Sequence, residues 1–121
     1  MTNHALARRQ VVLLAFPFSD LSAQKLRPAL VLADAGRDDW VLCQITSKPY
    51  ADSRAVELLD TAFAQGGLQL VSYTRPGKLF TAHASLIRSV VGELNEAAHQ
   101  RVLDAVVSLL REGGANALTS P

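Results

Sequence analysis

The sequence predicts one small domain that is mainly β, a strand barrel carrying a single α-helix at its C-terminal end. Three observations carry this: short apolar runs rich in β-formers, turn residues that interrupt them every few positions, and a switch to helical spacing after Asn95. A chain of 121 residues can bury one core and not two. The expectation is therefore a single domain over 1–121, with a core at about 10–112 and frayed ends.

The elements follow in order. Val11 to Phe16 is a continuous apolar run that stops at Pro17, which cannot donate to a ladder, and reads as the first strand. A polar loop leads to Pro28 and a second run, Ala29 to Leu32, ended by Asp34, Gly36 and the Asp38–Asp39 pair. Trp40 to Thr46 is the third strand. Ala55 to Leu59 alternates around Glu57 as a short fourth strand does, although the same residues also suit the start of a helix. Gly66 and Gly67 precede a strand expected over Leu68–Tyr73, Pro76 and Gly77 break the chain again, and Ser85 to Val91 runs to Gly92. After Asn95, a good N-cap, Leu103, Val106, Val107 and Leu110 mark the inner face of a helix stopped by Gly113 and Gly114.

Composition excludes several classes. Hydrophobic residues make up 49% and charged residues 19%, yet no apolar run approaches the roughly 18 residues needed to span a bilayer. No N-terminal stretch combines a basic start, an apolar centre and a small-residue cleavage site, so a cytoplasmic location is expected. Cys43 is the single cysteine and sits in an apolar run, as a small buried hydrophobe does. His4, His83 and His99 are scattered over the start, a strand-flanking segment and a surface position of the helix, with no companion at metal-ligand spacing, so no metal and no cofactor are expected. The net charge of +1 leaves no global basic footprint. From Thr61 to Gly92, however, there is no acidic residue, while Arg75, Lys78 and Arg88 fall there, which predicts a locally basic face or a merely solvated one.

The chemistry concentrates in three segments: Phe16-Pro17-Phe18-Ser19-Asp20-Leu21, then Lys25-Leu26-Arg27-Pro28-Ala29-Leu30-Val31-Leu32, then Gln44-Ile45-Thr46-Ser47. In this order they resemble the MazF/PemK family of toxin ribonucleases, in which an Arg-Pro pair opens a very apolar second strand and a Thr or Ser closes the third. The resemblance continues through Gly67-Leu68, Ser72-Tyr73-Thr74-Arg75, Lys78-Leu79-Phe80, Ile87 and Gly92-Glu93-Leu94, and so spans residues 10–112. Two departures stand out: Gln10 replaces a common Gly, and Gly77 replaces an acidic residue often found two places after the Arg75 position.

The resemblance implies an SH3-like barrel of the MazF/PemK type. It also implies an endoribonuclease in which the ribose 2′-hydroxyl attacks the adjacent phosphate to give a cyclic phosphate and a free 5′-hydroxyl. The substrate then carries its own nucleophile, and the protein must align it and stabilise the charge on the phosphate. Arg27 and Thr46 are the catalytic candidates, a planar guanidinium aimed by the rigid Pro28 and a hydroxyl donor. A guanidinium is a poor base at neutral pH, so Arg27 is read as an electrostatic stabiliser, and the base is left open between a neighbouring loop group, His83 and solvent. Lys25, Ser47, Arg75, Phe18 and Tyr73 are the RNA-binding candidates, with Arg75 either a second phosphate ligand or a solvated turn residue. Phe16 and Tyr50 join Phe18 and Tyr73 as aromatics on which bases can stack, with Phe16 read first as a core residue. The implied partners are single-stranded RNA, a cognate antitoxin and a second copy of the chain. The alternative is a non-catalytic barrel of the same shape that binds nucleic acid or a protein.

Overall fold

The computed structural model describes residues 6–15 and 25–114. Seven strands, β1 (Gln10–Ala15), β2 (Leu26–Gly36), β3 (Asp39–Thr46), β4 (Val56–Leu58), β5 (Phe63–Gly66), β6 (Ser72–His83) and β7 (Ile87–Leu94), precede one helix, α1 (Glu96–Glu112). They form one antiparallel sheet in the order β4-β6-β3-β2-β1-β7-β5. The mainly β barrel with a C-terminal helix expected from the sequence is the architecture observed, as a half-barrel.

Alternation of side chains along each strand splits the apolar residues between two faces. Val11, Leu30, Leu32, Cys43 and Ile45 join Leu58, Leu94 and Ala98, Val102 and Val106 of α1 in one core. Leu58 comes from one edge strand and Phe63, packed on the same core, from the other, so the sheet curls around this face and α1 covers it. The intervening residues, Val12, Leu14, Ala29, Val31, Leu42 and Phe80, form a second core with Leu6, Trp40 and Ile87.

The N-terminus of α1 is where the sequence placed it. Asn95 Oδ1 accepts from the Ala98 N–H at 2.8 Å, and its Nδ2 donates to the Thr61 carbonyl at 2.9 Å, tying the helix start to the β4–β5 connection. The buried face is different from the expected one: Ala98, His99, Val102 and Val106 are inside, while Leu110 is 72% exposed. His99 is thus a core residue and not a surface one.

Three further expectations are corrected. The segment 67–71 is irregular and the strand before it is Phe63–Gly66, because Gly66 takes a left-handed φ of +64° opposite Gly92 at the sheet edge. Pro76 and Gly77 do not end a strand. Between the pairs Cys43–Leu79 and Ile45–Thr74, residues 75–78 bulge against Gln44 alone and β6 then resumes. Pro28 lies inside β2 and not at its start, in a stretch where β2 pairs with β1 but no longer with β3, so no ladder bond to a second neighbour is forgone.

Candidate active site

The ladder between β2 and β3 ends before the strands do. Its last pair is Ala29–Gln44; beyond it Leu26–Pro28 pair only with β1, and Ile45–Thr46 only with β6. The two strands part here, and the gap is a cleft of about 720 Å³. Lys25, Leu26, Arg27 and Pro28 line one wall and Gln44, Ile45, Thr46 and Ser47 the other, with Leu13, Val91 and the segment 67–70 completing it.

Register decides which side chains meet. Successive pairs step Val31–Leu42, Leu30–Cys43, Ala29–Gln44, and two residues beyond the last pair on each strand stand Arg27 and Thr46, on the two walls of the cleft. Both lie on the face of Ala29, Val31 and Leu42 by alternation. Thr46 in turn pairs with Tyr73, and Tyr73 with Glu57. Thr46, Tyr73 and Glu57 therefore form one row across β3, β6 and β4, of which Thr46 lines the cleft and Tyr73 and Glu57 lie outside its lining.

Arg27 is exposed and has no hydrogen-bond or ion-pair partner among the described residues. The Thr46 hydroxyl is engaged locally: it accepts from the Lys48 N–H at 3.1 Å and donates to the Lys48 carbonyl at 3.2 Å, which fixes the turn that follows β3. Lys25 and Ser47 are exposed on opposite cleft walls, and Phe18 lies outside the described residues.

Arg75 is placed differently. Its Nε donates to Asp52 Oδ2 at 3.0 Å, and its guanidinium carbon sits 5.6 Å from the centroid of the Tyr50 ring. It is not part of the cleft lining. Burial pushes the Asp52 carboxyl up, but the Arg54 N–H, the bond from Arg75 and the charges of both arginines outweigh it and hold the group below its ordinary value. Arg75 thus supports a neighbouring loop with its charge largely answered. Arg88 lies in a different hollow, with Leu6, Asp38 and His83, so the acid-free stretch does not gather its cations onto one face.

His83 is removed from the candidates for the base. It pairs with Asp39 at the far end of β3, seven residues from Thr46, which is about 23 Å of strand. Its Nδ1 accepts from the Ser85 N–H at 3.1 Å and caps a single 3₁₀ turn. Glu57, paired with Tyr73 on the far side of β6, is likewise outside the cleft lining. Gly77 is not in the cleft; a side chain there would stand in ordinary contact with Leu109 of α1. Cys43 is buried, its Sγ bonded to the Arg75 carbonyl at 3.2 Å, and burial pushes its thiol up to about 12, which makes it inert at neutral pH. Among the described residues no cluster of His, Cys, Asp and Glu is placed to hold a metal, and no helix is long and apolar enough to cross a membrane.

The family model for the PemK-like, MazF-like toxin of type II toxin-antitoxin systems matches residues 7–110. No curated protein sequence matches the chain. Solved structures with a similar fold include MazE–MazF from Deinococcus radiodurans (TM-score 0.71, 20% identity, 89% of this chain and 98% of that one). An endoribonuclease in complex with its cognate antitoxin from a mycobacterial species is similar at TM-score 0.68 and 16% identity, covering 90% and 96% of the two chains. The Mycobacterium tuberculosis toxin MazF-mt6 gives 0.66 and 16%, over 85% and 97%.

Proposed function

The chain belongs to the PemK-like, MazF-like toxin family of type II toxin-antitoxin systems, and from that premise we propose that it is an endoribonuclease that cuts single-stranded RNA without a metal ion. The observation that carries this reading is the cleft where β2 and β3 part, with Arg27 on one wall and Thr46 on the other.

The 2′-oxygen attacks the adjacent phosphorus, the bond from phosphorus to the 5′-oxygen breaks, and the products are a 2′,3′-cyclic phosphate and a 5′-hydroxyl. No bound water has to be activated, because the nucleophile belongs to the substrate. The Arg27 fork binds two non-bridging oxygens as their charge grows. The Thr46 hydroxyl turns from the Lys48 carbonyl to donate to the same group. The proton of the 2′-hydroxyl passes to water in the open cleft, and the leaving 5′-oxygen takes one from solvent. Lys25 and Ser47 hold the strand along the two cleft walls, and Tyr73, between Thr46 and Glu57, packs against the ribose or its base.

A homodimer acting in the cytoplasm and silenced by a cognate antitoxin completes the reading. The antitoxin lies over the cleft and excludes RNA. Fold relatives that include a complex with a cognate antitoxin support this partner.

The test is incubation of the purified protein with mixed single-stranded RNA in EDTA, followed by analysis of fragment ends. Fragments with cyclic phosphate and 5′-hydroxyl ends are expected. Fragments formed only after magnesium is added would overturn the mechanism. RNA that is bound but left intact would establish the non-catalytic barrel instead.

A further inference from the structure

The loop between β3 and β4 displays an aromatic ring that the mechanism above does not use. Tyr50 is 68% exposed, the Arg75 guanidinium covers its ring at 5.6 Å, and Arg75 is itself held by Asp52 at 3.0 Å. Asp52 is fixed in turn, its Oδ1 accepting from the Arg54 N–H at 2.9 Å and its own N–H donating to the Pro49 carbonyl at 3.0 Å. Tyr50 and Ala51 both adopt left-handed φ values, +55° and +59°, which side chains with a Cβ rarely take. These bonds hold the loop backbone, and Arg75 backs the ring.

The loop starts at Thr46, whose hydroxyl ties down Lys48. Four residues reach at most about 14 Å, so Tyr50 lies within that distance of the Thr46 wall of the cleft. We propose that Tyr50, supported from behind by Arg75, is the platform on which an unpaired base next to the scissile phosphate stacks. The inference rests on the endoribonuclease reading and adds a substrate-binding residue to it. The charge of Arg75 is answered by Asp52, so the pair offers a flat π surface and not a phosphate site. Stacking of this kind tolerates any base and depends little on salt.

The test measures binding of a mixed-sequence, fully 2′-O-methylated RNA oligomer, which cannot be cleaved, to the full chain and to Tyr50 variants. Tyr50→Ala is expected to weaken binding roughly 5- to 150-fold, the loss of one stacked base, with the slope of affinity against salt unchanged. Tyr50→Phe is expected to bind like the wild type, and Tyr50→Trp to bind with quenching of its fluorescence. Tyr50→Ala binding as tightly as the wild type, or losing affinity together with salt slope, would overturn the platform while leaving the nuclease intact. Wild-type protein that binds no RNA at all would overturn both.

Discussion

Truncating Arg27 to Ala is expected to lower the rate of RNA cleavage about 100- to 1000-fold, the cost of roughly 3 to 4 kcal/mol that follows loss of one donor to a developing oxyanion. The variant should fold normally, because the side chain is exposed and has no partner among the described residues. Arg27 and Thr46 were legible in the sequence because each marks the end of an unmistakable apolar strand, in a family order. The pairing of Val56–Leu58 with Ser72–Thr74 was not, since nothing local signals it. Arg75 was read as a solvated or phosphate-binding cation because its partner Asp52 lies 23 positions away. His99 looked like a surface residue because it is polar, yet it is 4% exposed with neither ring nitrogen partnered among the described residues.

At the scale of elements, the sheet edge depends on Gly66. A Cβ there would collide with the Val91 carbonyl oxygen and would also have to adopt a left-handed φ. Gly66→Ala is expected to cost about 2 kcal/mol or more, read as a lowered denaturation midpoint, whereas Gly67→Ala, with open space around it, should cost little. Strands β1 and β3 and the helix start were legible because their residues alone settle them: apolar runs in the first two and a capping Asn in the third. Strands β5 and β6 were not. The Gly and Pro residues that punctuate them normally signal an end, but Gly66 closes an edge against Gly92 and Pro76–Gly77 accommodate a bulge, both of which depend on a distant neighbour strand. The buried face of α1 was misjudged for the same reason: Val107 and Leu110 have the right spacing, but the sheet lies against Ala98, Val102 and Val106.

For the molecule as a whole, the fold is expected to lose stability on acidification in two steps. Burial first, and the charges of Arg8 and Arg9 second, hold the His99 ring below its ordinary value of 6.5, so the unfolded chain takes up a proton that the folded chain refuses. Stability therefore falls as the pH drops below about 6.5, and urea midpoints at pH 7.5 and 5.5 should differ less in His99→Leu than in the wild type. Asp52, held below its ordinary 3.8, adds stability present above that value and lost beneath it. The site and the fold share one feature, the parting of β2 and β3, which opens the sheet. Its functional meaning is tested most directly by a double-mutant cycle on single-turnover RNA cleavage with Arg27→Ala, Thr46→Val and both together. If the two side chains act on one phosphate across the opening, the double variant is no slower than about the worse single one. Losses that multiply in full would show two independent residues and contradict the assignment.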